Sequence, residues 1–363
     1  MIKKKVFIHI LGARPNFIKA SPLIQALKKY DVVNKILHTG QHYDYTMSEQ
    51  FFKEFKLPKP FCNLDIGSLN HGAQTGRMLE EIEKVLNKNK SDFIVIYGDT
   101  NSTVAGALAA VKLNIPIAHI ESGVRTKNYK SPEEINRKIC DHIATVNFSP
   151  TIMSYKNLKK EGLEGRRIFC AGDVMYDMVI NAKLKKPDLK LPDKYILVTI
   201  HRQENTDNIT FLKRIFSTLI KLSKNICVLL PLHPRTKKKL IDANLYEKVK
   251  DNLNIIDPQS YSNLLYLIKK SEIVISDSGG VPKEAAFLDV PSIFIGDNIV
   301  WQELFDQNWT LLISPRNVQD ILFNYNEFKK SVQRKRIQGF GEGSAAVKIA
   351  EILYNYDKGN KLD

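Results

Sequence analysis

Short apolar runs alternate with amphipathic segments along the whole chain, and few folds accept that pattern. In the first half, strand-length runs lie at residues 6–11, 35–39, Phe93–Tyr97 and 116–120. Between them, apolar residues recur at helical spacing over 16–29, over 74–86 (Met78, Leu79, Ile82, Val85, Leu86) and over 102–113, and a further helix starts near Glu133. The second half repeats the pattern, with runs at 168–171, Tyr195–Thr199, 226–230, 253–256, Ile273–Ser276 and Ser292–Ile295, and a final amphipathic helix over 345–356. Continuous apolar strands separated by helices predict βαβ units, hence α/β architecture with mostly parallel sheets covered on both faces. At 363 residues the chain exceeds one ordinary core, so two domains are expected. The Pro- and Lys-rich stretch 183–193 is the best linker, with a boundary between about 165 and 190.

The formal net charge of +15 suits an anionic partner: nucleic acid, a membrane surface or a phosphorylated small molecule. The excess is spread as lysines along the helices, with short runs such as Lys237-Lys238-Lys239. No arginine-rich tail or aromatic-plus-basic RNA motif accompanies it, so no nucleic-acid partner is expected. Cys62, Cys140, Cys170 and Cys227 form no CxxC pair and stand beside no histidine at zinc spacing. They read as reduced thiols of a cytoplasmic protein, and no metal is expected. The opening MIKKKVFIHIL is basic and then apolar, but its apolar run is too short for a signal peptide and reads as a first core strand. No stretch approaches the roughly 20 apolar residues of a membrane helix.

Polar residues follow the strands in both halves. They are Arg14, Gln41-His42, Asp99 and Glu121, then His201, His233 and Asp277-Ser278-Gly279-Gly280. Open α/β sheets bind ligands beyond the carboxyl ends of their strands, which predicts a ligand cleft between two facing domains. Residues 119–137, HIESGVRTKNYKSPEEINR, are the densest such stretch, with Glu121, Glu133 and Glu134 beside Arg125 and Arg137. Carboxylates crowded against guanidinium groups suit acid/base chemistry. Adjacent glutamates opening a helix also complement its dipole, and both readings stand.

Gly12-Ala13-Arg14-Pro15 with Lys19 places two cations at the first strand–helix junction, suited to a pyrophosphate or simply facing solvent. It is not a dinucleotide fingerprint, because Arg-Pro stands where glycines are needed. Ser278, Gly279 and Gly280 before a helix suit a phosphate, with Glu284 suited to a ribose; an ordinary tight turn is the alternative. His201-Arg202-Gln203-Glu204-Asn205 is a polar cluster in which His201 suits an acid, a base or a phosphate donor. His233-Pro234-Arg235 reads as a capped turn. Gly341, Gly343 and Ala346 match GxGxxA, but no strand precedes them, so a nucleotide fingerprint is rejected.

As a set, GARPNFIKASPL, TGQHYD, YGDTNSTVAGALAA, HIESGVRT, SPEEINR, AGDVMYD, VTIHRQEN, LHPR, SDSGGVPKEAAFL and GFGEGSAA resemble the non-hydrolysing UDP-N-acetylglucosamine 2-epimerase family. They occur in family order over nearly the whole chain. The resemblance implies a GT-B-type fold of two Rossmann-like domains, residues 1–170 with the catalytic carboxylates and 171–345 binding UDP, and a terminal helix, 346–363, packed back on the first domain. It implies C2 epimerisation of UDP-GlcNAc to UDP-ManNAc, a homodimer, and no cofactor; a hydrolysing 2-epimerase and a GT-B glycosyltransferase are the alternatives. Asp99, Glu121, Glu133 and His201 match catalytic positions, with Glu134 left as a helix-start residue. Arg14, Lys19, Arg137, Ser278, Gly279, Gly280 and Glu284 match positions that bind the UDP part. Gln41, Arg77, Arg202 and His233 match an allosteric site, although Tyr43-Asp44 departs from the pattern after Gln41-His42. The run 296–303, GDNIVWQE, departs from simple epimerases and looks more like relatives acting on UDP-2,3-diacetamido-2,3-dideoxyglucuronic acid. Lys127 or Lys130 is the expected cation for such a sugar.

Overall fold

The structure is a computed structural model that describes residues 4–41, 52–67, 69–298, 300–331 and 336–356. His42, Tyr43 and Asp44, singled out above, and Ile299 of the 296–303 run lie outside the described residues. The chain divides into two units, one built from Met1–Met178 with Gly339–Asp363 and the other from Val179–Gln338.

The first unit carries a seven-stranded parallel sheet. Its strands are β1 (Lys5–Leu11), β2 (Val32–His38), β3 (Cys62–Asn63), β4 (Phe93–Tyr97), β5 (Ile117–Ile120), β6 (Val146–Ser149) and β7 (Ile168–Cys170), in the order β3-β2-β1-β4-β5-β6-β7. The strand β1 pairs with β2 from Lys5↔Val32 to Leu11↔His38 and with β4 at Phe7↔Phe93. The second unit repeats the plan with β8 (Tyr195–Thr199), β9 (Cys227–Pro231), β10 (Asn254–Ile256), β11 (Ile273–Ser276), β12 (Ser292–Ile295) and β13 (Thr310–Ile313), in the order β10-β9-β8-β11-β12-β13. Both orders are doubly wound and Rossmann-like, and two such units in one chain are the GT-B class. The order reverses between β1 and β4 in one sheet and between β8 and β11 in the other. Ligands of such sheets bind at these switch points, outside the carboxyl ends of the strands.

Packing explains the small-residue helix Asn101–Lys112. Ala105, Ala107, Ala109 and Ala110 are fully buried with Ile8, Ile10, Ile94 and Ile96. A Cβ on Gly106 would sit 3.0 Å from Ile10 Cγ1, so small side chains let this helix lie close on β1. Each buried isoleucine contributes about 1.5–3 kcal/mol. His9 is buried beside this core. It accepts from the Tyr97 hydroxyl at 2.6 Å through Nδ1 and donates to Asn34 Oδ1 at 2.9 Å through Nε2. Burial lowers its pKa to about 4, the Asn34 hydrogen bond opposing, which keeps the ring neutral.

The terminal helix, Ala345–Asn355, belongs to the first unit and packs on the helix Arg14–Leu27. Lys5 Nζ donates to the carbonyls of Tyr354 and Tyr356 at its end, the latter at 2.9 Å. At its start Asp177 Oδ2 accepts from Ala346 N at 2.7 Å, an anion at a helix N-terminus. The GxGxxA stretch serves this crossing. Gly341 (φ 92) and Gly172 (φ 97) meet so closely that a Cβ on Gly341 would lie 3.1 Å from Gly172 Cα. Among the described residues no helix is long and apolar enough to cross a membrane.

Candidate active site

The first unit's switch point is built around Asn16. Its Oδ1 accepts from Gly12 N (3.3 Å) and Ala13 N (3.0 Å), and its Nδ2 donates to Tyr97 O (2.9 Å), tying the turn after β1 to the end of β4. Gly12 admits no side chain, since a Cβ would lie 2.1 Å from both Ser102 Oγ and Thr39 Oγ1. The helix starts at Arg14, two residues earlier than its apolar spacing suggests, with Arg14 half-buried and Lys19 buried one turn on.

Lys19 Nζ meets Glu121 Oε1 at 2.5 Å, with side-chain exposures of 7% and 8%. Glu121 leaves β5 at φ 70, in the left-handed region that non-glycine residues avoid. Such backbone strain concentrates at functional sites. Gly98, at φ 66, closes the neighbouring turn; a Cβ there would lie 2.8 Å from Lys19 Nζ and 3.5 Å from Glu121 Oε1.

Arg137 is the second focus. Its Nη2 pairs with Asp99 Oδ2, and its Nη1 lies 3.3 Å from Glu134 Oε2. Burial alone lowers the guanidinium's pKa, but the charges of Asp99, Glu121, Glu134 and Glu133 hold it above the ordinary value. Asn136 Nδ2 also donates to Asp99 O at 2.9 Å. The adjacent glutamates part company here. Glu134, read from the sequence as a helix-start residue, is fully buried. Its carboxylate accepts from Thr126 N (2.9 Å), Thr126 Oγ1 (3.0 Å) and Lys127 N (3.2 Å). Glu133 is exposed and accepts from Ser131 Oγ. Successive helical residues point about 100° apart, so only one of the two faces inward.

Beneath this cluster lies Asp141, fully buried, which sequence reasoning missed. It receives His119 Nδ1 (2.7 Å), Arg125 Nη2 (2.7 Å) and Gly123 N (3.1 Å). Burial would raise its carboxyl, but the His119 and Arg125 bonds and charges hold it below the usual carboxylate value. His119 Nε2 donates to Gly98 O at 2.8 Å, so both ring nitrogens face acceptors.

In the second unit Asp277, at the end of β11, organises the turn after β8. It accepts from His201 N (3.0 Å), Arg202 N (3.0 Å) and Asn205 Nδ2 (3.1 Å). His201 is partly exposed, with its ring centroid 5.7 Å from that of His233. Ser278 Oγ accepts from Gly280 N at 3.3 Å, and Glu284 is buried one turn on. Trp301 Nε1 donates to Gly279 O at 3.1 Å, and the buried Lys283 Nζ lies 3.7 Å from the centroid of its indole. The departing run 296–303 thus reaches the Ser278–Gly280 turn through Trp301.

Of the residues matched to an allosteric site, Gln41 Oε1 accepts from Ser102 N (3.0 Å) and Ser102 Oγ (2.6 Å), which ties it to the helix after β4. Arg77 is exposed. Arg202 lies over the Phe294 ring at 5.7 Å. His233 Nδ1 accepts from Arg235 N at 3.2 Å and caps the helix Pro234–Asp242.

The sequence pattern of the family described as UDP-N-acetylglucosamine 2-epimerase matches residues 25–354. A UDP-N-acetylglucosamine 2-epimerase homolog of Methanococcus maripaludis is 45% identical over 96% of this chain and 99% of its own. The UDP-2,3-diacetamido-2,3-dideoxy-D-glucuronate 2-epimerase of Pseudomonas aeruginosa is 41% identical over 95% of this chain and 98% of its own. The crystal structure of Methanocaldococcus jannaschii UDP-GlcNAc 2-epimerase in complex with UDP-GlcNAc and UDP superposes with a TM-score of 0.89. The two sequences are 41% identical, and the match covers 96% of this chain and 99% of that one.

Proposed function

Because the chain belongs to the UDP-N-acetylglucosamine 2-epimerase family, we propose that it inverts C2 of UDP-N-acetylglucosamine to give UDP-N-acetylmannosamine, without net loss of UDP. The observation that carries this reading is the pairing of two carboxylates with two buried cations at one switch point: Glu121 with Lys19, and Asp99 with Arg137. The relative holding UDP-GlcNAc and UDP supports the substrate class.

The C2 proton of the sugar is not acidic, because no carbonyl adjoins C2 in the ring. Elimination solves this problem. A carboxylate takes the C2 proton while the C1–O bond breaks and its electron pair leaves with UDP, giving a 2-acetamidoglucal. Return of the UDP oxygen to C1, with a proton delivered to the other face of C2, gives the epimer. A carboxylate on each side of the ring meets this need, and Asp99, Glu121 and Glu133 are the candidates. Glu133, exposed on the helix start and within the field of Arg137, is the third candidate for proton transfer. Arg14, Lys19 and Arg137 offset the charge of the departing pyrophosphate. In the second unit Ser278, Gly279 and Gly280 bind phosphate, Glu284 accepts from the ribose, and His201 serves the pyrophosphate. On this reading the protein acts in the cytoplasm as a homodimer.

A second reading, a UDP-diacetamido-glucuronate 2-epimerase, is favoured by Trp301 in the departing run and by Lys127 and Lys130. Both lysines are exposed on the loop after Glu121. One assay decides between the two. Purified protein is given each UDP-sugar, and products and free UDP are followed by NMR. Conversion of UDP-GlcNAc without accumulating UDP supports the first reading. Turnover of the uronate alone, lost in Lys130→Ala, supports the second. Net UDP release indicates a hydrolysing enzyme, and no turnover of either sugar refutes both.

A further inference from the structure

The helix Pro132–Ile143 carries two fully buried carboxylates, Glu134 and Asp141, about two turns apart and so on one face, with Arg137 between them. Apart from the Glu134–Arg137 pair, neither is spent on the helix itself. Glu134 receives Thr126 N, Thr126 Oγ1 and Lys127 N. Asp141 receives Gly123 N, Arg125 Nη2 and, through His119 Nδ1, a ring whose Nε2 holds Gly98 O. Apart from Arg137, every one of these donors lies in residues 119–127, the segment that carries Glu121. The His119 ring reaches on to Gly98, the residue before Asp99. Buried charges are costly unless paired and hydrogen-bonded, and a loop needing only stability is better served by apolar packing. This loop must also hold Glu121 at φ 70, a conformation that persists only when its surroundings over-determine it.

We propose that Glu134 and Asp141 are positioning residues, which clamp the loop after β5 so that Glu121, Asp99 and Arg137 keep their reacting geometry. Asp141 acts through His119 on the Asp99 turn and through Gly123 and Arg125 on the loop. Glu134 acts on Thr126, Lys127 and Arg137. What is positioned rests on the epimerase reading, whereas the clamp itself does not.

The test uses the full-length chain and two variants, Glu134→Gln and Asp141→Asn, with two readouts. Backbone amide hydrogen exchange at Gly98 and over residues 121–131 reads the clamp, and kcat and KM on UDP-GlcNAc read its consequence. In Glu134→Gln the Thr126 and Lys127 amides exchange about tenfold faster or more, while the sheet amides keep their protection. Misplacement of reacting groups lowers kcat by about 10- to 100-fold, with KM changed by less than about threefold. Asp141→Asn gives the same split, with faster exchange at Gly123 and Gly98. If Asp141→Asn does not fold, Glu134→Gln alone decides. Unchanged loop exchange, or loosened exchange with wild-type kcat, overturns the proposal. Lower stability with unchanged kcat per folded molecule shows a merely structural role and also overturns it. A wild type that binds but does not turn over UDP-GlcNAc sinks the epimerase reading, and the exchange arm then decides the clamp.

Discussion

Lys19→Met tests whether the ion pair at the switch point is as costly to break as its burial demands. The substitution keeps most of the aliphatic stem and deletes the ammonium that stands 2.5 Å from Glu121 Oε1. An exposed pair is worth about 0–1 kcal/mol. This one has side-chain exposures of 7% and 8%, so removal of one partner leaves a carboxylate with little access to water. The expected cost is about 3–5 kcal/mol. Most of that cost is a buried charge left with one partner fewer rather than the lost attraction. Glu121→Gln combined with Lys19→Met therefore recovers at least about 2 kcal/mol of it. The two units need not unfold together, so the measurement is native-state hydrogen exchange at β1 and β4, which reports the first unit alone. A cost below about 1 kcal/mol, or single effects that add to within about 0.5 kcal/mol, would show that the pair is not a costly buried one.

Gly98→Ala places a methyl group 2.8 Å from Lys19 Nζ at a residue with φ 66. Left-handed backbone costs alanine about 1–2 kcal/mol, and the displaced ammonium lowers kcat about tenfold or more, read by denaturant unfolding and steady-state kinetics. His9 has a folded pKa of about 4 against an ordinary 6.5. The unfolded chain thus binds the extra proton, so stability present above pH 6.5 is lost as pH falls through 4, by roughly 3 kcal/mol, and a His9→Gln variant flattens that slope. Arg14→Ala raises the Kd for UDP by about tenfold, measured calorimetrically, because one charge-assisted contact is lost.

Much of this architecture is legible in the sequence, because buried parallel strands are continuous apolar runs. Where that rule fails, strands escape notice. In β6, Asn147 and Ser149 are polar yet fully buried, Asn147 Nδ2 donating to Asp141 O at 3.0 Å. The edge strand β3 spans only Cys62–Asn63, too short for any period to register. The strand-end rule places Arg14, Asp99, Glu121 and His201 at the switch points because it depends only on chain direction. It cannot choose between Glu133 and Glu134. That choice depends on which side of the helix meets the loop, and the only hint is the spacing of Glu134, Arg137 and Asp141 along one face. Asp277 shows the same limit. Its position after β11 is legible, but its partners, His201 N and Arg202 N, come from a loop distant in sequence.

C2 proton exchange through an eliminated intermediate is read by incubating the protein with UDP-GlcNAc in deuterated water and following the recovered nucleotide sugars by NMR. Deuterium is expected at C2 in both epimers, with UDP-sugar intact, and that exchange is lost in Asp99→Asn and Glu121→Gln variants that still bind UDP. Epimers formed with protium retained at C2, or exchange undiminished in both variants, would contradict this route.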